Sequence, residues 1–404
     1  MVLDKYILII SAVFPPEPVV SAKIAMDLYH GLKEKGHAVK VLHPIATRPL
    51  GFDFTGQVSG LPVGDEITVE SYTCAESKII GRARESMSFG KECAKYIRQH
   101  YEEVKCVYLG LWPLFGQYLV AQACLKYQIP YIAPVQDVYP ESLANKLPKM
   151  AAGFINAMFL PMDKIVLKQA SHIHVISNRM KEYLAKTRDI EDGKFTVILN
   201  WQDESEFVEY KRNYMSSKES EKPFTFMYMG NIGPVAGVDL LIDAFTQAEL
   251  NNAKLVVAGS GSMKERLKEL AEPYKNIEFW DVPNGKVPEI QAKADCMLLP
   301  IKKGAASSSI PSKLPAYMFS AKPIIGCMDA DSDTAKAIME SGGGWLIEPE
   351  NAPKLADTMK RVVGMSEDLL KTMGNNAQEY GLEHFSKKKN LDKLTKVIID
   401  CIKD

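Results

Sequence analysis

Two loops that follow apolar runs are the first places in this sequence where a nucleotide could bind. The loop at 14–20, FPPEPVV, has no glycine, so its backbone cannot approach a pyrophosphate as a dinucleotide-binding loop does. The loop at 259–264, GSGSMK, opens a predicted helix, but Lys264 stands at the third glycine position of that fingerprint. No G-x-x-x-x-G-K-[ST] motif occurs. The sequence therefore disfavours an NAD-dependent enzyme and a P-loop ATPase.

A carboxylate stands at the end of another apolar run. Asp137 ends the predicted strand at 129–137, where it can accept a proton from a substrate hydroxyl or hold that hydroxyl in place. The alternative is that Asp137 and Ser142 only cap the loop and the helix that follows Pro140. We predict the catalytic role for Asp137 and keep the capping role as its rival.

Residue types that bind metals give a weaker signal. DADSD at 329–333 has the Asp-x-Asp pattern of some divalent-cation sites, but it lies between a predicted strand and a predicted helix, where Asp and Ser are ordinary caps. The seven cysteines are odd in number and include no C-x-x-C pair. This pattern argues against a zinc site or a disulfide framework and is typical of a reducing cytoplasm. We predict no metal site.

Composition and charge limit the class of protein. The chain has 404 residues, 46% of them apolar, which is enough for two or three domains with buried cores. The 49 basic and 50 acidic residues give a net charge of -1, which argues against a nucleic-acid partner. The apolar run at 6–14 stops at Pro15 and Pro16 and predicts a buried strand, not a signal peptide. No stretch is expected to span a bilayer, so the predicted location is cytoplasmic.

The elements that must position these residues form two series. Strand 6–13, helix 21–35 and strand 37–42 predict a βαβ unit, and further apolar strands follow at 105–111, 129–137, 171–177 and 195–203. After a polar segment at 204–223, six more strands alternate with helices. The prediction is an α/β fold of two Rossmann-like, doubly wound domains facing a cleft. Its parts are a first domain at 1–203, a linker at 204–223, a second domain at 224–383, and a helix at 384–404 that crosses back to the first domain.

The order of these segments resembles that of the GT-B glycosyltransferases, and specifically glycosyltransferase family 4. The motifs that carry the resemblance are QDVYPES at 136–142, VISNRM at 175–180, ILNW at 198–201, YMGNIGPVAGVDLLIDAF at 228–245, LVVAGSG at 255–261 and PSKLPAYMFSAKPII at 311–325. The resemblance covers nearly the whole chain. It is strongest to the subgroup that builds bacterial capsule, O-antigen and colanic acid polysaccharides, which includes fucosyl and N-acetylfucosaminyl transferases.

The resemblance implies a retaining transferase that needs no organic cofactor. Its donor would be a nucleoside diphosphate sugar of the UDP or GDP type carrying a deoxy or N-acetylamino hexose, and its acceptor a polyprenyl-linked glycan. Lys313 is expected on the donor diphosphate, and Val282 and Pro283 are expected beside the base. The full set of implied donor-binding residues is Gly230, Asn231, Gly233, Gly259, Val282, Pro283, Ser308, Ser309, Ile310, Pro311, Ser312 and Lys313.

The chain departs from the family pattern at four positions. The family has two glutamates where this chain has Ser308 and Ala316, and an arginine and a lysine where it has Asn231 and Ala236. Because two positive charges are missing from the expected diphosphate site, Lys313 is expected to compensate for them.

The first domain is expected to bind the acceptor and to contact a membrane. The implied acceptor-binding residues are Pro16, Glu17, Val19, Ser21 and Glu141. The segments 81–98 and 147–168 combine apolar and basic residues, so each could lie on an anionic membrane. The alternative for each segment is a core helix with a solvated basic face.

Two other functions stay open at this stage. The departures from the family pattern also fit a catalytically inactive transferase that acts as a scaffold in a polysaccharide-synthesising complex. A non-hydrolysing sugar-nucleotide 2-epimerase also has two similar domains, but the carboxylates and the histidine that it would need are not apparent in this sequence.

Overall fold

A computed structural model describes residues 5–48, 53–54, 56–74, 79–111, 114–145, 147–214, 222–234, 236–283, 285–304 and 310–403. The chain divides into two compact units. The first comprises Met1–Leu199 and Asn390–Asp404, and the second comprises Asn200–Lys389. Each unit has one sheet in which every strand pair is parallel. This architecture confirms the predicted pair of Rossmann-like α/β domains.

The sheet of the first unit has seven strands in the order β3-β2-β1-β4-β5-β6-β7. All six residues of β1 are buried, which a parallel sheet covered on both faces requires. The seven strands are β1 Tyr6–Ser11, β2 Val39–Pro44, β3 Glu66–Val69, β4 Val104–Gly110, β5 Tyr131–Val135, β6 His172–Val175 and β7 Phe195–Val197.

Helices connect these strands and cover the sheet of the first unit. They are α1 Val20–Glu34, α2 Ile79–His100, α3 Phe115–Lys126, α4 Glu141–Ala144, α5 Lys149–Gln169 and α6 Asn178–Arg188. The core combines strand residues such as Leu8 and Val107 with helix residues such as Phe89 and Val120. A single cooperative core is therefore built from segments far apart in sequence.

The second unit has a six-stranded sheet in the order β10-β9-β8-β11-β12-β13. The strands are β8 Phe224–Met229, β9 Ala253–Ala258, β10 Ile277–Trp280, β11 Cys296–Pro300, β12 Ile324–Cys327 and β13 Gly344–Ile347. The helices are α7 Ser205–Tyr214, α8 Val238–Ala248, α9 Lys264–Ala271, α10 Val287–Ala292, α11 Lys313–Phe319, α12 Asp333–Glu340, α13 Ala352–Val363 and α14 Glu367–His384. A last helix, α15 Lys387–Asp400, belongs to the first unit from Asn390 onward.

Both sheets contain a point where the winding direction reverses. In the first sheet the chain winds outward from β1 to β3 and then returns to place β4 on the other side of β1. In the second sheet the same reversal separates β8 from β11. Ligands of doubly wound folds bind beyond the carboxyl ends of the strands at such switch points. The topology therefore marks one candidate site in each unit.

The polar segment expected to be a linker is partly an ordered helix. Residues Ser205–Tyr214 form α7, in which Phe207 is buried with its ring centroid 5.8 Å from that of Phe319. Lys211 of the same helix donates hydrogen bonds to Asn375 and Gln378. One buried aromatic residue was enough to attach this charged segment to the second unit, and its sequence periodicity was too weak to indicate that.

Two further elements differ from expectation. The short edge strand β3 was not predicted, because its four residues, EITV, are too few for a clear pattern, and it pairs with β2 alone. Helix α5 is long and apolar enough to cross a membrane by length and composition, with 22% of its apolar window buried. Helix α5 was not predicted as a membrane-spanning segment, because one amide and a few charges interrupt its apolar run, but its mean hydropathy remains high.

Candidate functional site

Three neighbouring strands of the second unit end at the same level. The Gly230 amide, just after β8, donates to the carbonyl of Ala258 at 3.0 Å, and the Gly259 amide, just after β9, donates to the carbonyl of Trp280 at 3.0 Å. The loops that follow are also joined, because the Ile232 amide donates to the carbonyl of Ser260 at 2.8 Å. The expected donor-binding loops after β8 and β9 therefore form one continuous backbone surface.

Glycine is required at two positions of this surface. A Cβ at Gly259 would lie 2.2 Å from the carbonyl oxygen of Gly230, and φ at Gly259 is +128°. A Cβ at Gly230 would lie 2.2 Å from Cε of Lys313, and φ there is +149°. A side chain at either position would have to displace its neighbour. The glycines therefore let the two loops and a lysine side chain pack directly against one another.

Lys313, the first residue of α11, extends its side chain across Gly230. Its Nζ lies 5.0 Å from the ring centroid of Tyr228, and burial lowers the pKa of this ammonium group from its usual range. Among the described residues, Lys313 has no hydrogen-bond or ion-pair partner. A half-buried cation without a counter-charge, at the switch point of the sheet, is the electrostatic requirement for binding an anion.

Tyr317, which sequence reasoning did not single out, fixes Lys313 relative to β8. Its buried hydroxyl accepts a hydrogen bond from the Met229 amide and donates one to the Met229 carbonyl, each at 2.8 Å. Tyr317 lies one helical turn after Lys313, so this pair of hydrogen bonds sets the distance between α11 and Gly230. A tyrosine four residues after the lysine is the only local signal that the sequence offers for this role.

Lys264 explains why the GSGSMK loop lacks a third glycine. Its side chain is 13% exposed, donates to the Gly259 carbonyl at 2.8 Å and pairs with the Asp281 carboxylate at 2.6 Å. The lysine thereby joins the ends of β9 and β10. These contacts stabilise the loop after β9. Lys264 was not among the predicted site residues.

The other predicted donor residues surround this centre at different depths. Asn231 is exposed, and its side-chain amide lies beside Gly233. Val282 and Pro283 follow β10 directly, the first half-buried and the second exposed. Ile310, Pro311 and Ser312 lead into α11, whereas Ser308 and Ser309 lie outside the described residues. The structure thus brings Gly230, Gly259 and Lys313 into direct contact, with the remaining residues on adjoining loops.

A second groove of this unit, with a volume of about 720 Å³, has the wrong charge for a diphosphate. It lies beside α8 and is lined by Asp239, Asp243 and Glu350, with Lys302 as the basic residue. Three carboxylates against one ammonium group repel a phosphate. The anion site is therefore better placed at Lys313 than in this groove.

The first unit has a cavity of about 320 Å³ at its own switch point. It is lined by residues at or just beyond the carboxyl ends of β1, β4 and β5, among them Ser11, Gly110 and Asp137, and by Ser21 at the start of α1. Tyr108 and Gln117 add polar groups to a mainly apolar wall. A small polyhydroxylated ligand with an apolar portion matches this lining.

Asp137 lines this cavity, and both of its carboxylate oxygens are hydrogen-bonded. One accepts from the Val138 amide at 2.9 Å and the other from the Ser142 hydroxyl at 2.7 Å. The carboxylate is nevertheless exposed, and each oxygen can accept a further hydrogen bond. The capping contacts and the cavity position are therefore both present, and the catalytic role of Asp137 stays a prediction.

Glu141 does not point into the cavity as an acceptor ligand. Its carboxylate forms a two-point pair with fully buried Arg188, at 2.5 and 2.7 Å, and also accepts from Tyr183. Burial by itself would raise the pKa of Glu141, but the hydrogen bonds from Arg188 hold it below its usual range. Glu141 therefore anchors α4 to α6, and its acceptor-binding role stays a prediction.

Asp163 of α5 is the second carboxylate on Arg188 and does line the cavity. Its Oδ2 accepts from Nε of Arg188 at 2.7 Å. Burial raises the pKa of Asp163 to about 6 despite the nearby guanidinium group. Sequence reasoning missed this residue, because its partner lies 25 positions along the chain.

The remaining predicted acceptor-binding residues lie in or next to the loop between β1 and α1, and they differ in burial. Glu17 is 4% exposed and accepts from the amides of Thr47 and Arg48, each at 2.8 Å. Its carboxylate holds the loop together, and its acceptor-binding role stays a prediction. Pro16 and Val19 are half-buried, and Ser21 is exposed and lines the cavity.

The residues of the DADSD segment have local structural roles. The Ser332 hydroxyl accepts from the Ala335 amide and caps α12, and Asp329 accepts from the Gly304 amide at 2.7 Å. Within the described ranges, no three His, Cys, Asp or Glu side chains come together as a set of metal ligands.

Comparison with known protein families accounts for both halves of the chain. Residues 21–206 match the family model described as Glycosyltransferase Family 4, and residues 211–380 match the model described as Glycosyl transferases group 1. The two matches follow one another along the chain and divide it close to the boundary of the two units. The two halves of the chain thus match glycosyltransferase family models, and the fold is the GT-B fold.

The curated relatives of this chain are distant. WbjE of Pseudomonas aeruginosa, named as a probable glycosyltransferase, is 22% identical over 275 residues, which cover 65% of this chain and 66% of WbjE. WcaI of Escherichia coli (strain K12), named as a colanic acid biosynthesis glycosyl transferase, is 28% identical over 125 residues, which cover 28% of this chain and 30% of WcaI. The matches thus span less than two thirds of either relative.

Solved structures agree on the fold over nearly the whole chain. A glycosyltransferase from Rickettsia africae ESF-5 has a TM-score of 0.68 at 16% identity and covers 99% of this chain and 100% of its own. Anabaena Alr3699/HepE, solved in complex with UDP, has a TM-score of 0.67 at 13% identity, covering 98% and 100%. WaaG, involved in lipopolysaccharide biosynthesis, has a TM-score of 0.61 at 16% identity, covering 97% and 99%.

Proposed function

We propose that this protein transfers a hexose, with retention at the anomeric carbon, from a nucleoside diphosphate sugar to a polyprenyl-linked glycan in bacterial surface polysaccharide synthesis. The observation that carries the proposal is Lys313, a half-buried ammonium group without a counter-charge beside Gly230. HepE of the same fold binds UDP, and WcaI is named for colanic acid biosynthesis, which supports the substrate class.

In this proposal the donor diphosphate binds at the ends of β8 and β9. Lys313 neutralises part of its charge, and the backbone of Gly230 and Gly259 lets the phosphates approach closely. Asn231 donates a hydrogen bond where other family members have an arginine, and the segment at Val282 and Pro283 contacts the base. One lysine therefore carries most of the positive charge that the family supplies with several residues.

The transfer replaces one glycosidic bond with another. The bond between the anomeric carbon and the diphosphate oxygen breaks, a bond to the acceptor oxygen forms on the same face, and the acceptor proton passes to the leaving phosphate. The protein positions the reactants and stabilises the developing charge on the diphosphate. The acceptor occupies the cavity of the first unit, where Asp137 orients its hydroxyl.

A catalytically inactive scaffold is the second candidate function. The buried, short side chain of Ala316 in α11 favours it, because the family has a carboxylate there for the donor. A scaffold need not bind a nucleotide sugar. Donor binding therefore separates the two candidates.

Thermal unfolding with UDP, GDP, dTDP, CMP and their common sugars tests the proposal. A ligand at about 100 times its Kd should add about 2.7 kcal/mol of stability. Lys313→Met keeps the apolar contact with Gly230 and removes the charge, so we expect donor affinity to fall about tenfold and the added stability to fall to about 1.4 kcal/mol.

Lys302→Met is the matched control, because Lys302 belongs to the same unit, pairs with Asp239 at 3.9 Å and lines the acidic groove beside α8. It should bind the donor as the wild type does. Stabilisation by no nucleotide would reject the proposed function in favour of a scaffold. Equal binding by wild type and Lys313→Met would remove Lys313 from the donor site.

A further inference from the structure

Helix α5 exposes a long apolar surface. Residues 150–162, MAAGFINAMFLPM, contain no charged residue and a single polar one, Asn156. Met150 is 92% exposed, Phe154 64%, Met158 44% and Ile165 37%. Large apolar side chains at this density are not left in water without a partner on a soluble protein surface.

These four residues lie on one side of the helix. At 3.6 residues per turn, their spacing of 4, 4 and 7 positions places them within an arc of about 80°. The buried residues Phe159 and Val166 point the opposite way, and the ring of Phe159 lies 5.3 Å from that of Phe115. One side of α5 therefore packs on its own unit while the other side, which we call the α5 apolar face, is uncovered.

The charges around the α5 apolar face are mainly positive. Lys149 begins the helix and Lys164 and Lys168 lie near its end, and Lys168 pairs with Asp189 at 2.9 Å. Asp163 is the one acidic residue of the helix, and it is directed inward to Arg188. An apolar strip with lysines at both ends is complementary to a bilayer surface that carries anionic headgroups.

We propose that the α5 apolar face docks the protein on a membrane that contains anionic phospholipid, with α5 lying in the plane of the interface. A spanning orientation is incompatible with the fold, because Phe159, Val166 and Leu167 of the same helix are part of the packed unit. Met150, Phe154 and Met158 insert among the acyl chains, and the lysines contact the headgroups.

The docked helix also contributes to the acceptor cavity. Asp163 and Leu167 of α5 line the cavity that contains Asp137. This part of the inference rests on the proposed function, since it explains how a polyprenyl-linked acceptor would reach the cavity from the bilayer. The membrane contact itself requires neither donor nor acceptor, so it can be tested alone.

Vesicle flotation tests the contact without any substrate. The full-length protein is mixed with vesicles of phosphatidylcholine alone or with 30% phosphatidylglycerol, a fraction of about one third chosen to give a clear surface potential. The wild type should float with the anionic vesicles. The double variant Met150→Glu/Phe154→Glu should bind them at least about tenfold more weakly, because two inserted side chains become charged.

A matched double variant carries the same charges elsewhere. Met339→Glu/Leu369→Glu changes two exposed apolar residues of the second unit, 54% and 46% exposed, and should float as the wild type does. Both variants replace exposed side chains, so their far-ultraviolet circular dichroism and their stabilisation by the donor nucleotide should equal those of the wild type. This second measurement reports the proposed function independently of vesicle binding.

Two results would overturn the inference. One is a wild type that binds neither kind of vesicle, and the other is equal flotation of the α5 variant and the wild type. If the wild type is a dimer in solution, fails to float, and becomes monomeric in the α5 variant, the face is a contact between copies of this chain instead. If the wild type floats with anionic vesicles but binds no donor nucleotide, the membrane contact is supported and the proposed transferase function is rejected.

Discussion

The contacts of Asp137 define a test at the scale of a single residue. The carboxylate holds Val138 and Ser142 within its own loop and also faces the cavity of the first unit. In a purely capping role the two carboxylate oxygens bind only Val138 and Ser142, whereas in a catalytic role they also bind a substrate hydroxyl in the cavity. Substitutions that separate the loop contact from the cavity contact decide between them.

We expect Asp137→Asn to lower kcat about 100-fold while changing donor affinity less than twofold, because an amide orients an acceptor hydroxyl poorly and lacks the negative charge of the carboxylate. The measurement is steady-state transfer with varied donor. Ser142→Ala removes one loop hydrogen bond and keeps the carboxylate, so its kcat should stay within about threefold of the wild type. Equal losses of kcat in the two variants would indicate that Asp137 only caps the loop.

Arg188 shows why a carboxylate in a plausible position need not bind a ligand. Glu141 and Asp163 both bond to this one guanidinium group, which is fully buried. A buried arginine without carboxylate partners would be strongly unfavourable, so these two side chains are committed to the fold. Of the pair, only Asp163 also reaches the cavity wall.

At the scale of secondary-structure elements, the second unit depends on direct contact between the loops after β8 and β9. The carbonyl of Gly230 lies where a Cβ of residue 259 would be. Because the obstacle is backbone and not a flexible side chain, the two strand ends would have to separate to admit a methyl group. The donor surface and the stability of this unit therefore depend on the same glycine.

We expect Gly259→Ala to destabilise the second unit by about 3 kcal/mol, the sum of an overpacking cost and of the left-handed strain of φ +128°. Urea unfolding measures the loss, and nucleotide binding should weaken with it. Gly364→Ala, in the same unit, has its nearest contact at 3.6 Å and an ordinary φ of -80°, so it should change stability by less than about 1 kcal/mol. Similar losses in both variants would contradict the close approach.

At the scale of the whole molecule, the chain folds as two units that are not two continuous stretches of sequence. Residues 390–404 belong to the first unit, where Asp392 pairs with Lys35 at 2.8 Å and Lys393 donates to the carbonyl of Val197. Leu394 and Ile398 on the same helix are fully buried. The stability of the first unit therefore depends on the last residues of the chain.

We expect Leu394→Ala to destabilise the first unit by about 2–5 kcal/mol, since it removes a fully buried side chain. Hydrogen exchange measured by mass spectrometry should then show faster exchange in β1 and β4 but not in β8 and β9. Leu355→Ala in α13, also fully buried, is the reciprocal control and should affect β8 and β9 instead. Loss of protection throughout the chain in either variant would mean that the units unfold together.

The secondary-structure elements and the fold class could be predicted from the amino-acid sequence. Short apolar runs such as those at 6–11 and 296–300 are typical of strands buried on both faces, and glycine or proline marks where most of them end. The predicted βαβ alternation therefore matched the observed strands of both sheets, apart from the edge strand β3. The glycines at 230 and 259 were also identifiable, because local backbone conformation is encoded locally.

Which side chains are available to a ligand depends on how the chain folds. Glu17 and Glu141 looked as accessible as Asp137, but their partners are 31 and 47 residues away in sequence, where local spacing carries no information. Lys313 and Gly230 meet because β11 lies next to β8 in the sheet, and Asp163 reaches the cavity because α5 packs beneath it. Topology brings such residues together, and burial and pairing then determine which charges remain free to bind.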